Sequence, residues 1–397
     1  MRLVYFSPVP WASFAQRPHQ FVRWFHTSFN ASVLWIDPYP TRLPNIADMR
    51  RFALQKEAST PAQEVALPNW LELATPRALP LEPIPGSGLL NHGLWRATLE
   101  QVDRFVAVRS IRGQTHIVIG KPSKLALQVL QQHPQLPSMY DAMDDFPAFY
   151  QGISRLSMQN AERQIAAKVQ HISLSSSSSR RFDQYTSKLS VVLNACASDR
   201  LPAPQLQSFK QTIPVLGYVG TIGHWFDWEA VIKIALSRPQ FCLRLIGPVF
   251  TPPPRSLPAN IQLLPACQHE DAMLAMRQFD VGLIPFKSNL LTASVDPIKY
   301  YEYRALGLPV LSTNFGEMAL RGKSDGVFLF DEHSHLPSLL DTSLAHYTSM
   351  SEIQSFRQQH SWDARFACLE STFGSRTSDI PNKTPQRLAG TYQLQRA

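Results

Sequence analysis

The segment Asp296-Pro-Ile-Lys-Tyr-Tyr-Glu302 concentrates residue types that could handle an anion. Aspartate is a favoured N-cap and proline a favoured first helical residue, so Asp296 and Pro297 predict a helix start here. Lys299 then falls in the first turn, where a cation opposes the helix dipole. A bound anion, such as a diphosphate cradled by free helix N–H groups, accounts for a lysine placed there. Ile298 lies beside it. Glu302, three residues on, shares the lysine's face and could accept hydrogen bonds from two ribose hydroxyls. A solvated Lys–Glu pair accounts for the same spacing and contributes only tenths of a kcal/mol.

Three further segments carry chemistry. Gly217-Tyr-Val-Gly220-Thr221-Ile-Gly223 reads as a strand running into a glycine turn, with a helix opening near Asp227. Such glycines let backbone approach a phosphate closely, though a tight strand–helix turn needs them equally. Tyr140-Asp141-Ala-Met-Asp144-Asp145 sets three carboxylates after a strand, where Asp144 and Asp145 could orient or deprotonate a hydroxyl. An exposed acidic loop is the plainer alternative. Arg17 and His19 follow the first strand and are expected at the same rim. The four cysteines have no paired spacing and the 12 histidines no metal-ligand motif, so neither a disulfide framework nor a metal site is expected.

Short apolar runs alternate with amphipathic stretches, the pattern of parallel sheets covered by helices on both faces. Expected strands include 3–6, 32–37, 117–120, 138–141, 169–174 and 189–193, with helices from 18 and over 89–107, 122–132 and 157–168. Residues 59–88, rich in proline, read as a long excursion. The five serines Ser175 to Ser179 read as the end of a strand and the cap of a helix starting near Ser179. The pattern breaks near 197–213 and restarts with strands at 215–219, 242–246, 261–264, 281–284, 310–312 and 327–330. Two doubly wound α/β domains, 1–200 and 201–350, are therefore expected, facing each other across a cleft. A terminal helix (351–373) packs back toward the first domain, and a polar tail (374–397) is expected to be disordered.

A chain of 397 residues suits two domains, and 44% hydrophobic residues can fill two cores. No apolar run reaches the roughly 18–20 residues of a membrane span, and no secretory leader is read at Met1, so a cytoplasmic location is expected. Residues 1–200 hold 21 Lys+Arg against 14 Asp+Glu, which is +7 of the chain's +8. A basic first half suits an anionic partner such as a lipid surface, although a merely solvated surface accounts for it equally. No dense basic stretch or nucleic-acid motif appears, so no nucleic-acid partner is expected.

The order and wording of these segments resemble family-4 glycosyltransferases, retaining enzymes of the two-domain glycosyltransferase B fold. Asp296-Pro-Ile-Lys-Tyr-Tyr-Glu-Tyr-Arg-Ala-Leu-Gly-Leu-Pro-Val310 is similar to their donor-binding signature. Val281-Gly-Leu-Ile-Pro-Phe, Gly217-Tyr-Val-Gly-Thr-Ile, Trp225-Phe-Asp-Trp, Tyr140-Asp-Ala-Met-Asp-Asp-Phe and Ser361-Trp-Asp-Ala-Arg365 resemble the subgroup of teichuronic-acid and exopolysaccharide transferases. The resemblance implies a nucleotide-sugar as donor substrate, no other cofactor, no metal, and a glycan or lipid-linked acceptor; a lipid-linked acceptor together with the basic first half leads to the expectation of peripheral docking on an anionic membrane. It implies Lys299, Asp144 and Asp145 as catalytic. Glu302, Gly220, Thr221, Ser294, Asp296 and Ile298 are implied in donor binding, with Arg17, His19 and Asp141 expected from their positions at the acceptor side or cleft rim. Ser294 stands where many relatives have glutamate, Thr221 where many have arginine, and no lysine follows it before Trp228. Asn194-Ala-Cys-Ala replaces their Asn-Gly-Val-Asp. These departures leave open a non-catalytic glycan- or partner-binding protein. A nucleotide-sugar epimerase is a further alternative, whereas the absence of a GxGxxG turn argues against a dinucleotide oxidoreductase.

Overall fold

The computed structural model describes residues 1–13, 16–44, 67–108, 114–204 and 213–374. The first half runs β1 (Arg2–Phe6), α1 (Arg17–Phe29), β2 (Ser32–Ile36), β3 (Leu71–Ala74), α2 (Ser87–Ala107), β4 (Thr115–Ile119), α3 (Lys124–Gln132), β5 (Ser138–Ala142), α4 (Gly152–Lys168), β6 (His171–Leu174) and β7 (Leu189–Val191). Its strands form one sheet in the order β3-β2-β1-β4-β5-β6-β7, every neighbouring pair parallel. Leu3, Val4, Tyr5 and Phe6 are all buried because the sheet is covered on both faces. Val4, Leu34 and Ile117 pack with Trp95 of α2, Leu125 of α3 and Ile165 of α4. Leu3, Tyr5 and Trp35 pack on the other face with Phe21 and Phe25 of α1.

The second half runs β8 (Val215–Val219), α5 (Trp228–Ser237), β9 (Cys242–Ile246), β10 (Ile261–Leu264), α6 (His269–Met276), β11 (Val281–Ile284), α7 (Ile298–Ala305), β12 (Val310–Thr313), β13 (Val327–Phe330) and α8 (Leu336–Ala345). Its six strands, in the order β10-β9-β8-β11-β12-β13, are again all parallel. Two parallel sheets with helices on both faces make the α/β two-domain architecture read from the sequence.

Three segments differ from the sequence reading. The proline-rich excursion contains an edge strand, β3, whose Leu71 pairs with Val33; residues 59–66 of that excursion lie outside the described residues. The serine run starts no α-helix: it is a turn, followed by a 3-10 segment at Asp183–Lys188. The single terminal helix is three, α9 (Met350–Gln359), α10 (Trp362–Phe366) and α11 (Glu370–Phe373). The break is local, because the Ser361 hydroxyl accepts from Ala364 N–H and caps a new helix. From there Trp362, Phe366, Leu369 and Phe373 pack into the α1 side of the first domain. The polar tail beyond Gly374 lies outside the described residues.

Candidate active site between the two sheets

A cleft of about 380 Å³ opens where strand ends from both sheets meet. One wall comes from the second sheet: Tyr218, Gly220 and Thr221 after β8, Phe286 after β11, and Val295 to Lys299 entering α7. The other comes from the first domain: Gln16 and Arg17 at the start of α1, Met143 and Asp144 after β5, Phe149, and Asn194 in the connection between domains. Binding beyond the carboxyl ends of strands is the rule for such sheets.

Gly220 and Gly247 explain the shape of the donor-side wall. Gly220 has φ +153 and Gly247 φ +145, and a Cβ on Gly247 would stand 2.1 Å from the Gly220 carbonyl oxygen. The loops after β8 and β9 therefore touch backbone to backbone, which only glycine permits. The helix after this turn is closed to anions: Asp227 accepts from Ala230 N–H and caps α5 with its own carboxylate.

α7 is different. Its N-cap position is Pro297 rather than Asp296, and among the described residues no side chain caps the helix. Pro297, Ile298 and Lys299 line the cleft, so the positive end of the helix dipole borders it. Asp296 is spent elsewhere, which corrects the reading of it as a cap. Its buried carboxylate accepts from Asn194 N–H at 2.7 Å, from the Tyr301 hydroxyl at 2.8 Å and from Arg321 Nη2 at 2.6 Å.

The Lys299 ammonium donates to Glu302 Oε2 at 2.6 Å, so the two side chains pair as the plainer alternative has it, but the pair is largely buried rather than solvated, with Glu302 at 7% exposure. Glu302 does not line the cleft; it borders a hollow of about 30 Å³ behind Ile298, beside Gln16, Gln20 and Arg200. Ser294 is half-buried and likewise not on the cleft wall.

The first-domain residues divide sharply. Arg17 is no rim residue: at 3% exposure it pairs with Asp141 (Nη2–Oδ1 2.8 Å, Nε–Oδ2 3.1 Å) and donates to the Val192 carbonyl at 2.7 Å and Asn194 Oδ1 at 3.2 Å. Asp141 is fully buried by the same pair. Together with Asn194, Asp296 and Arg321 they form a polar spine that crosses the connection between domains. Neither Asn194 nor Arg321 was marked as functional by the sequence, although Asn194 begins the departing Asn-Ala-Cys-Ala turn.

His19 is also a core residue rather than a rim residue. Gln16 N–H donates to its Nδ1, leaving Nε2–H to donate to the Trp11 carbonyl at 3.1 Å, and the ring packs on Trp35 and Trp11. Burial holds its pKa down at about 4, so it is neutral.

Asp145 turns away from the cleft. It accepts from Ala148 N–H at 3.3 Å, capping a 3-10 turn, and pairs with Arg181 at 3.4 Å. Asp144 faces the cleft, and burial pushes its carboxyl up to about 7, the Arg181 and Arg17 charges offsetting only part of the shift. A carboxyl poised near neutrality is suited to exchange a proton with a hydroxyl. Gly220, Thr221, Asp296, Ile298, Lys299, Arg17 and Asp144 thus share the cleft; Glu302, Ser294, Asp145, Asp141 and His19 do not line it. Phe149, Tyr218, Trp225 and Phe286 add aromatic surface that the sequence alone did not single out as site-forming.

The serine turn joins the domains beside the site. Glu317, buried in the second domain, accepts from the Ser176 hydroxyl at 2.8 Å, Ser177 N–H at 2.6 Å and Ser178 N–H at 3.1 Å. Gly316, at φ +42, lets this segment pass within contact of Val295 and Thr292, where a Cβ would sit 2.5 Å from the Val295 carbonyl.

Two parallel sheets with an interdomain cleft at their carboxyl ends make this the two-domain glycosyltransferase B fold. Sucrose-phosphate synthase of Thermosynechococcus elongatus superposes with a TM-score of 0.62 at 13% identity, over 93% of this chain and 97% of that one. The E. coli trehalose-6-phosphate protein bound with UDP-2-fluoro glucose superposes at 0.58 and 13%, over 96% and 100%. The lipopolysaccharide outer core galactosyltransferase WaaB superposes at 0.56 and 10%, over 94% and 97%. At these identities the likeness is one of fold. A stretch of 106 residues is 31% identical to TuaH of Bacillus subtilis, named as a teichuronic acid biosynthesis glycosyltransferase, covering 25% of this chain and 26% of that one. No family model matches the chain.

Proposed function

We propose that this protein transfers a sugar from a nucleotide-sugar to a hydroxyl of a glycan or lipid-linked precursor, with retention of configuration and without a metal. One observation carries the reading: the uncapped, lysine-bearing start of α7 faces Asp144 of the other domain across the cleft. In this mechanism the donor diphosphate binds at the Ile298 and Lys299 amides. Lys299 turns from Glu302 to the departing phosphate, stabilising the charge that develops on it. For Glu302 to accept from the ribose hydroxyls, its side chain must swing from the hollow behind Ile298 to the cleft once Lys299 leaves it. The acceptor hydroxyl attacks the anomeric carbon on the face that the nucleotide leaves. Its proton passes to the departing phosphate, and Asp144 orients the acceptor. Thr221 contributes a hydroxyl where an arginine would add charge, so Lys299 carries most of the electrostatic task.

The acceptor class rests on the similarity to TuaH, together with the basic first domain. The site of action on this reading is the cytoplasmic face of a membrane; among the described residues no helix is long and apolar enough to cross one. Incubation with UDP-, GDP- and dTDP-sugars and a glycan acceptor, read by NMR at the new anomeric centre, tests the reaction. A retained anomer supports it, and inversion removes the mechanism.

A second reading has its own support. Both cations of the cleft wall, Arg17 and Lys299, are neutralised by partners in the chain. A protein that binds a glycan without transferring sugar fits that. Ligand binding without turnover, for every donor and acceptor pair, favours it.

A further inference from the structure

A second concavity, of about 320 Å³, lies on the first domain, walled by α4 and the segment from Arg181 to Tyr185. Arg155, Gln159 and Arg163 of α4 line it at four-residue spacing and so share one helix face. Both arginines are exposed and have no ion-pair or hydrogen-bond partner for their side chains among the described residues. The two acidic side chains in the wall are already engaged: Glu162 holds Arg181 at 2.6 Å and accepts from the Tyr140 hydroxyl at 2.8 Å, and Asp145 holds Arg181 at 3.4 Å. Gln184 and Tyr185 complete the opposite side. Three arginines against two paired carboxylates give the wall a positive balance, and its two free charges sit on the helix.

Arg155 and Arg163 are eight residues apart, about 12 Å along the helix at 1.5 Å per residue. That span exceeds one small oxyanion and suits an extended chain with anionic groups at intervals. Between the charges the wall offers amides from Gln159 and Gln184, which pair with hydroxyls as donor and acceptor. The pocket is also tied to the cleft. Arg181 Nη2 donates to the Asp144 carbonyl at 3.0 Å, and its Nε is buried without a partner among the described residues. The loop that carries Asp144 is thus held from this side.

We propose that this pocket binds a segment of an acidic glycan, a carboxylated or phosphorylated oligosaccharide, and grips an acceptor chain away from its reacting end. The role as an acceptor grip rests on the transferase reading; the binding itself does not. Isothermal titration of the full chain with a galacturonate hexamer tests it, with neutral maltohexaose and a thymidine hexanucleotide as comparisons and UDP titrated separately into the cleft. The galacturonate hexamer should bind, maltohexaose at least about tenfold more weakly, and Arg155→Gln/Arg163→Gln should weaken the acidic ligand by about tenfold or more. Matching melting curves establish that the double variant is folded. Equal affinity in parent and variant, or for neutral and acidic hexamers, overturns the site. An equally tight hexanucleotide overturns the glycan class. Loss of UDP binding alone contradicts the transferase reading and leaves the pocket standing.

Discussion

Lys299 and Arg17 are both cations on the cleft wall, yet their surroundings assign them different work. Arg17 is enclosed and satisfied, so Arg17→Met should act through the fold. Leaving Asp141 buried without its partner costs about 3–5 kcal/mol, visible as a large loss in urea denaturation. Lys299 keeps access to the cleft, and a glutamine in its place keeps an amide donor for the buried Glu302. Lys299→Gln should therefore change stability by less than about 1 kcal/mol while lowering kcat by roughly 10²-fold or more at saturating donor. Asp144 adds a pH signature. Its carboxyl titrates near 7 instead of its usual 3.8, so a rate that needs its anion rises through pH 7, and Asp144→Asn should flatten that limb. The sign for stability is opposite: the folded state holds this proton from about pH 4 to 7, so Asp144 lowers stability as pH rises through that window, and Asn removes the slope. The sequence placed Asp144, Lys299 and Thr221 at the cleft because each follows a strand or opens a helix. It could not separate Arg17, His19, Asp141 and Asp145 from them. Their packing partners, Asn194, Trp35, Ala148 and Arg181, come from distant positions or turns that periodicity does not reveal.

At the scale of elements, the most legible part was the strand pattern, because parallel strands buried on both faces are continuous apolar runs. The edge strand β3 escaped since Leu71-Glu-Leu-Ala is short, half exposed and set among prolines. The serine run misled for a physical reason: serine hydroxyls cap helices, but they also gather around a carboxylate, and the partner, Glu317, is 140 residues from Ser177. That contact makes a prediction at the same scale. Glu317→Ala strands the Ser177 and Ser178 amides without their acceptor and should cost about 1–3 kcal/mol. Glu317→Gln, which keeps one acceptor oxygen, should cost less. Chemical denaturation of both variants checks the order, and equal losses would show that a neutral acceptor oxygen contributes nothing to this join.

For the whole molecule, the membrane docking expected from the sequence bears on a set of exposed apolar residues. Leu89, Leu90 and Leu94 of α2, with Phe149 and then Ile153 and Leu156 of α4, are exposed on the first domain, Leu89 at 85% and Leu156 at 65%. Phe149 also lines the cleft, so apolar surface runs up to the site. Both helices start at the edge of the sheet where the cleft opens, and Leu89 and Ile153 lie in their first turns. Sedimentation with anionic vesicles should exceed that with neutral ones and fall with salt, each basic residue near the surface contributing about 1 kcal/mol. Equal binding to both vesicles would remove charge from the explanation.

The two-sheet cleft with α7 at its wall stands or falls on the donor, and thermal melting with UDP-, GDP- and dTDP-sugars, in the parent and in Lys299→Gln, reads it directly. A bound donor stabilises by RT ln(1 + [L]/Kd), about 2.7 kcal/mol at 100 times Kd. At least one nucleotide-sugar should raise the parent's Tm, and the same ligand should lose most of that shift in Lys299→Gln. No shift with any of them, or a shift of equal size in the variant, would contradict a donor site at the start of α7.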